Sequence, residues 1–326
     1  MAVHDLLRYD PEFLEEAVFH CLRGTAEGRL FRTERDRLYE IADAETRELA
    51  FRDQSARWFE RRRLGAPLEQ AVAEQPLLAS GVARCVVALA RSAKDEGAEL
   101  FVVAGRGESD REKRSVAILL RPQSLLEPER VLAFLRHELF HIVDMLDPSF
   151  GYEPALPPAE GGPAHDSLLK ARYRALWDAT INGRMVRRGW LPPAVRAEEL
   201  ESFRRAFPFL GNETEKLFAR FFDREPHTHG ELAAFARAPG RPHAGRCPLC
   251  RFPAVSFEPA PDRLPAAVAA AIRGDFPSWE PAQGLCVQCA DLYRAREISL
   301  FGARRLPAAA PAGEERTAED CRAGGS

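Results

Sequence analysis

Arg136-His137-Glu138-Leu139-Phe140-His141-Ile142-Val143-Asp144 is the stretch on which the interpretation of this chain depends. His137 and His141 are four residues apart, so on a helix they share one face and are separated by about one turn. Two imidazoles arranged in this way can bind one zinc ion. Glu138 is offset around the same helix, where a carboxylate can act as a general base beside a metal without being its ligand.

The residues around the two histidines are apolar, which predicts a buried helix. Phe134, Leu135, Leu139 and Ile142 follow a helical spacing. Burying an unpaired polar group costs about 2–7 kcal/mol, and a metal ion removes that cost by accepting the lone pairs. The alternative is a chance pattern of surface side chains that binds no metal.

The composition predicts a soluble globular protein, with 45% hydrophobic and 29% charged residues among 326. The length is sufficient for one large domain and one small domain. A formal net charge of −3 gives no general attraction to nucleic acid or anionic membranes. We find neither a secretory signal nor an apolar run that could cross a bilayer. We therefore expect a cytoplasmic protein with no membrane partner, in which cysteine pairs bind metal rather than form disulfides.

Helices dominate the predicted secondary structure. Residues 1–80 form a predicted N-terminal helical region. The predicted elements that follow are a helix at 82–96, strands at 100–104 and 115–120, the motif helix at 128–146 and a second long helix at 168–188.

Two histidines leave a zinc site incomplete, because a catalytic site has three protein ligands and a water. We favour Asp178, which lies on a helical stripe with small residues that would allow close packing, with Asn182 one turn later. Gly183 suggests either tight packing or a helix break, since glycine is unfavourable inside a helix. The other candidates for the third ligand are Asp144, Asp147, Glu160 and His165. Asp144 could instead hydrogen-bond a ligand histidine and orient it.

Two Cys-x-x-Cys pairs predict a second metal site near the C-terminus. Cys247 and Cys250 form the first pair, Cys286 and Cys289 the second, with 35 residues between the pairs. Four thiolates complete a tetrahedral zinc site and leave no open position, so this zinc would be structural. The intervening segment includes a predicted helix at 264–272, which makes the region a zinc ribbon with an insertion. A redox dithiol is the alternative.

The order helix, strand, loop, strand and His-Glu-x-x-His helix resembles the minimal domain of zincin metallopeptidases. The resemblance implies a small sheet beneath the metal-bearing helix and an edge strand that pairs with substrate, for which residues 115–120 are the candidate. In the gluzincin branch, a second helix supplies an acidic third ligand, usually glutamate, and an acidic residue often follows one turn later. Asp178 and Asn182 occupy those positions here, so this chain departs from the pattern at both.

A metallopeptidase helix followed by a zinc ribbon also resembles SprT-like proteases, which act on DNA-bound proteins. That family takes its third ligand from a further histidine, for which His165 is the candidate.

These features together predict an α+β protein with a mostly helical, zincin-like domain, a small β-sheet and a small zinc-ribbon domain. The predicted divisions are an N-terminal helical region at 1–80, a metallopeptidase core with a helical extension at 81–238, a zinc ribbon with an insertion at 246–303 and a disordered tail at 304–326.

The leading functional hypothesis is a peptidase with two zinc ions per chain, one catalytic and one structural. Glu138 would be the general base, and the substrate would be a protein or peptide. The rival hypothesis is a non-catalytic zinc-binding protein whose ribbon binds protein or nucleic acid.

Overall fold

The predicted α+β class is confirmed by the computed structural model, which combines many helices with one four-stranded mixed sheet. The structure describes residues 3–103, 109–156, 163–237, 245–254 and 256–304. The chain divides into unit 1 (Met1–Gly240) and unit 2 (Arg241–Ser326). Of the tail predicted at 304–326, all residues after Arg304 lie outside the described residues.

The N-terminal region is helical, as predicted, except for one short strand. Its elements are α1 (Val3–Leu6), β1 (Leu7–Tyr9), α2 (Pro11–Leu22), α3 (Ala26–Leu38), α4 (Ala44–Arg61), α5 (Ala66–Ala73) and α6 (Pro76–Gly81). The start of α2 follows from its sequence. The Asp10 carboxylate accepts the Glu12 N–H at 2.9 Å, and proline occupies the first helical position, where its missing N–H has no partner to lose.

Three more strands complete the sheet of unit 1. They are β2 (Arg84–Leu89), β3 (Gly97–Val102) and β4 (Arg114–Leu120), with the short helix α7 (Asp110–Lys113) before β4. The strand order is β1-β2-β4-β3. Strands β1, β2 and β4 are parallel, and β3 is antiparallel to β4. The strand predicted at 115–120 is therefore present, and the strand predicted at 100–104 overlaps β3.

The helix predicted at residues 82–96 is wrong, because the chain forms β2 there and then a loop. Cys85 and Val87 are fully buried, and β2 has a parallel neighbour on each side. The strand is apolar at every position after Arg84, so its sequence lacks the alternation that distinguishes a half-buried strand from a helix. The β-branched Val86 and Val87 favour the strand.

The open edge of the sheet beside the motif helix is β3, so the predicted edge role of residues 115–120 is also wrong. β4 lies between β2 and β3. The Val103 N–H donates to the Lys113 carbonyl at 2.9 Å, so the odd-numbered residues of β3 form the hydrogen-bonded pairs with β4. The backbone groups of Ala98, Leu100 and Val102 therefore point to the open edge.

The motif helix α8 (Pro128–Leu146) contributes to two hydrophobic clusters. Leu135, Leu139 and Ile142 pack with the sheet and the N-terminal helices, whereas Phe140 packs with the helices that follow. Those helices are α9 (Pro163–Arg187), α10 (Val195–Ala206), α11 (Thr214–Phe222) and α12 (His229–Arg237). The spacing of the sequence leaves the two histidines and Glu138 on the remaining face of α8. The second long helix is thus present as α9.

Unit 2 contains a two-stranded hairpin of β5 (Gly245–Arg246) and β6 (Pro253–Ala254), followed by α13 (Ala266–Asp275) and α14 (Val287–Arg304). The helix predicted at 264–272 corresponds to α13. Short 3-10 helices lie at Pro122–Leu126, Pro208–Glu213, Pro261–Arg263 and Pro281–Gln283. Within the described ranges, no helix combines the length and the apolar character needed to cross a membrane.

Candidate metal centres

Three side chains from α8 and α9 converge in unit 1. The Nε2 atoms of His137 and His141 are 3.3 Å apart. Oδ1 of Asp178 lies 3.1 Å from Nε2 of His141 and 3.6 Å from Nε2 of His137. We call these three residues the first metal site. Their side chains are between 14% and 28% exposed, so the ligand atoms are partly buried but reachable from solvent.

The distances within the first metal site fit a tetrahedral metal ion. Zinc bonds of about 2.0–2.1 Å at tetrahedral angles place neighbouring nitrogen and oxygen ligands about 3.3–3.4 Å apart. The observed separations of 3.1, 3.3 and 3.6 Å bracket that value. The site could therefore hold a metal ion. Three protein ligands leave one position for water or substrate, which is typical of catalytic zinc.

Asp178 and the two histidines shift one another's protonation. Burial alone would raise the pKa of Asp178, but hydrogen bonds and charge from His137 and His141 hold it well below its usual value. Burial alone would lower the pKa of His137, but the hydrogen bond and charge of Asp178 outweigh it and raise that pKa. A metal ion must therefore compete with protons for these three side chains.

On the side of the His137 ring that carries Nδ1, an amide contacts the imidazole, and a carboxylate contacts that amide. Nδ1 of His137 lies 3.0 Å from Oδ1 of Asn182, one helical turn after Asp178. Nδ2 of Asn182 donates to Oε1 of Glu199, on α10, at 2.9 Å. Burial raises the pKa of Glu199, and the nearby charge of Asp178 acts in the same direction. Neither Glu199 nor its contact was predicted from the sequence.

Glu138 is held beside the first metal site by the open strand edge. Its Oε2 accepts the Ala98 N–H at 3.3 Å. Its charge contributes to the raised pKa of His137, so the carboxylate and the imidazole are close in space. Gly97 is adjacent, and a Cβ on that residue would lie 3.4 Å from Oε2. The motif glutamate therefore lies between the candidate metal-binding face of α8 and strand β3.

The structure brings Asp144 to groups other than the histidines. Its carboxylate accepts the Trp177 indole N–H at 2.7 Å and two hydrogen bonds from the Arg184 guanidinium at 2.7 and 2.5 Å. Asp147 accepts the Ser149 N–H at 2.8 Å. Two further predicted candidates lie outside the described residues, namely Glu160 and the side chain of His165.

Aromatic side chains connect the first metal site to a neighbouring cavity. The Trp177 ring lies edge-on to His141, with centroids 4.5 Å apart, and the Tyr152 ring is tilted against the same indole, with centroids 5.6 Å apart. Beyond Tyr152 is a cavity of about 420 Å³ whose walls include Leu169, Tyr173 and His229. Nδ1 of His229 and the Tyr173 hydroxyl share a hydrogen bond of 2.8 Å.

The four paired cysteines come together in unit 2, and we call them the cysteine site. Sγ of Cys247 lies 3.9 Å from Sγ of Cys289, and Sγ of Cys250 lies 3.8 Å from Sγ of Cys286. Disulfide sulfurs are about 2.05 Å apart. Four thiolates bound to zinc at about 2.3 Å are separated by about 3.8 Å, which the observed distances match.

Backbone donors support the cysteine site. The Cys286 N–H donates to Sγ of Cys247 at 3.3 Å, and the Cys289 N–H donates to Sγ of Cys286 at 3.4 Å. Such donors stabilise thiolates, the form that binds a metal. The cysteine site could thus hold a metal ion with all four positions filled by protein.

Three residues around the first metal site had no signal in the sequence: Ala98, Trp177 and Glu199. Ala98 acts through its backbone, which any residue carries. Glu199 belongs to a helix whose position depends on packing far along the chain. In the sequence, Trp177 is one apolar residue among many in α9, and nothing there distinguishes it from the others.

Fold and geometry define an α+β protein with one three-ligand and one four-ligand candidate metal site. Comparison of the chain with protein-family models, with curated proteins and with solved structures finds no match. The case for a function therefore rests on the two sites themselves.

Proposed function

We propose that this protein is a zinc-dependent hydrolase that cleaves peptide bonds at the first metal site. The observation that carries the proposal is the convergence of two imidazoles and one carboxylate at 3.1–3.6 Å. A structural site is usually closed by four protein ligands, whereas this set contains three and remains in reach of solvent. When bound, zinc would polarise a water molecule and the carbonyl of the bond to be cleaved.

Glu138 is the proposed general base. It follows His137 directly but is directed around the helix towards β3, where the Ala98 N–H binds one of its oxygens. From this place the carboxylate would take a proton from the attacking water and return it to the leaving amine. The same hydrogen bond keeps Glu138 from turning back to become a fourth ligand.

The proposed substrate is an extended segment of protein or peptide. The open edge of β3 offers the backbone groups of Leu100 and Val102 in line with Ala98 and Glu138, and an extended chain can add to such an edge by main-chain hydrogen bonds. Phe101 and Val102 are exposed apolar residues on the same strand. A surface of this kind favours a peptide over a small polar substrate.

Binding of protein or nucleic acid through the zinc ribbon is the second candidate function. It is favoured by the geometry of the cysteine site, whose four sulfur ligands leave no open position for chemistry and so point to a structural metal. In this case the first metal site would bind a metal without hydrolysing substrate.

Glu138→Gln tests the proposal against this alternative. The control variant is Glu129→Gln. Both glutamates lie on α8, but Glu129 is exposed and lies in the first turn of that helix. Metal content would be measured first, and cleavage of a broad peptide library would then be followed by mass spectrometry. We expect two zinc ions in all three proteins, normal cleavage by the control, and a loss of about 10²–10⁴-fold in Glu138→Gln.

Retention of full cleavage by Glu138→Gln would exclude Glu138 as the base. If wild-type protein with both zinc ions cleaves no member of the library, the hydrolase proposal is wrong and the binding function becomes the better explanation.

A further inference from the structure

Asn182 lies between a metal-ligating histidine and a carboxylate from another helix. Its Oδ1 is 3.0 Å from Nδ1 of His137, and its Nδ2 is 2.9 Å from Oε1 of Glu199. A side-chain amide has one accepting end and one donating end, and the two ends have nearly the same shape. The amide alone therefore does not define which end faces the histidine.

Glu199 removes that ambiguity. An ionised carboxylate accepts hydrogen bonds only, so it requires the NH₂ end of Asn182. The oxygen of Asn182 must then face His137, and Nδ1 of His137 must carry the proton that this oxygen accepts. A neutral imidazole with a proton on Nδ1 has its lone pair on Nε2. That Nε2 is the atom that lies 3.3 Å from His141 and 3.6 Å from Asp178.

We infer that Glu199 is a positioning residue for the first metal site: through Asn182, it selects the tautomer of His137 whose Nε2 can bind the metal. This inference rests on metal binding at that site and does not depend on peptide hydrolysis. Free histidine usually carries its proton on Nε2, the wrong nitrogen for this site, so the tautomer must be imposed by the surrounding groups.

The position of Glu199 is well defined by its helix. Leu200 and Phe203, on the same helix, are buried in the aromatic cluster that also contains residues of α9. The backbone of Glu199 is thus held near α9 by apolar packing, which keeps the carboxylate within reach of Asn182. Glu198, the preceding residue, is exposed and provides a matched control.

A neutral residue at position 182 is consistent with this arrangement. An aspartate there would face Glu199 at about the distance of a hydrogen bond, and two carboxylates this close repel unless one takes a proton. The amide instead passes the orienting effect of the Glu199 charge to the histidine without adding a second charge. Exchanging the carboxylate and the amide between the two positions should therefore preserve the arrangement. Asn182→Asp combined with Glu199→Gln would again leave an oxygen acceptor facing His137.

The test measures zinc affinity in full-length protein by competition with a chromophoric chelator. The zinc ion of interest is the one that is lost in the variant His141→Ala. We expect Glu199→Ala to weaken this zinc by about 10–100-fold, the usual effect of losing a partner that orients a ligand. Glu198→Ala should leave it unchanged. Asn182→Asp should weaken binding, and Asn182→Asp combined with Glu199→Gln should recover most of the loss.

A second readout is the tautomer of His137, from nitrogen NMR shifts of the metal-free protein at a pH where the ring is neutral. We expect the proton on Nδ1 in wild type and a shift towards Nε2 in Glu199→Ala. A purely structural role of Glu199 would lower the unfolding midpoint without changing the tautomer. The double variant keeps the test valid if Glu199→Ala does not fold.

Two results would overturn the inference: wild-type zinc affinity and tautomer in Glu199→Ala, or a double variant that binds zinc no better than Asn182→Asp. Failure of the proposed hydrolase activity is distinguishable, because zinc binding would still depend on Glu199 in a protein that cleaves nothing. If His141→Ala loses no zinc, the first metal site is wrong and the inference fails with it.

Discussion

Gly183 packs directly against the carbonyl group of Phe222, so closely that a Cβ on Gly183 would lie 2.0 Å from the oxygen and 2.8 Å from the carbonyl carbon. Gly183 lies inside α9, and Phe222 ends α11. Of the two explanations that the sequence allowed for this glycine, the structure selects tight packing, because α9 continues through it. We expect Gly183→Ala to destabilise the fold by about 1–3 kcal/mol, since backbone atoms must move to accommodate the methyl group.

The same substitution should also weaken metal binding, because Gly183 adjoins Asn182 and displacement of α9 moves Asp178. Urea unfolding and zinc titration measure the two effects. Gly230→Ala is the matched control: this glycine is also helical, but its Cβ would meet nothing within 4 Å. Alanine there should be neutral or should stabilise by about 0.4–1 kcal/mol. Equal behaviour of the two variants would contradict the packing argument.

Protonation of the first metal site should stabilise the metal-free protein in a limited pH range. The pKa of His137 is raised above 6.5, so its contribution is fully present below that pH and is lost as pH rises through the folded-state pKa. The pKa of Asp178 is lowered below 3.8, so its contribution is present above that pH and is lost as pH falls through the folded-state pKa. Both contributions coexist between about pH 4 and 6.5.

With metal removed by a chelator, we therefore expect wild-type protein to be more stable than Asp178→Asn at about pH 5.5. We expect this advantage to be lost at about pH 8.5. Urea unfolding followed by tryptophan fluorescence measures the difference, and Trp177 reports on the site directly. Zinc occupancy should show the opposite trend, since zinc must displace protons from the ligands and binds better at high pH. An advantage over Asp178→Asn that is independent of pH would show that His137 and Asp178 do not titrate as a pair.

Asp144 and Arg184 form a buried ion pair that should support the fold rather than the metal. Asp144 is 5% exposed, and its carboxylate also accepts the Trp177 indole N–H. Removal of one partner leaves a buried charge unpaired, so Asp144→Asn and Arg184→Met should each cost about 3–5 kcal/mol. The double variant should cost less than the sum of the two, because neither charge is then left alone.

Zinc stoichiometry separates this interpretation from the orienting role that the sequence allowed for Asp144. We expect all three variants to retain two zinc ions per chain under native conditions. Loss of one zinc ion from Asp144→Asn, with little change in the urea midpoint, would instead favour a role at the histidines.

The sequence was informative where a feature depends on local spacing. His137, Glu138 and His141 are related by one helix, and each cysteine pair by one turn, so their relative positions follow from the chain itself. Asp178 was found because small residues on its stripe indicate a close helix contact. Glu199 could not be found in this way, since nothing within α10 indicates that it packs beside Asn182.

The sheet was harder to predict than the helices for a physical reason. Strand β2 is apolar at every position after Arg84, so its sequence does not alternate with polar residues and resembles a buried helix. The identity of the edge strand depends on strand order, which is a property of non-local pairing. Strand β3 returns antiparallel to β4, and this reversal moves the open edge from β4 to β3.

Metal counting is the most direct check on both sites. Wild-type protein purified with zinc should contain two ions per chain.

Cys286→Ser should contain one and should destabilise unit 2, because a small unit with a modest core derives much of its folding free energy from a structural metal. His141→Ala should also contain one but should unfold close to the wild-type midpoint in chelator, since unit 1 has two extensive hydrophobic clusters of its own. Stepwise chelation should remove the ion of the first metal site before that of the cysteine site, because three ligands in reach of solvent release a metal more readily than four thiolates, three of which are buried. A wild-type protein with a single zinc ion, lost in Cys286→Ser and kept in His141→Ala, would eliminate the first metal site and leave only the cysteine site.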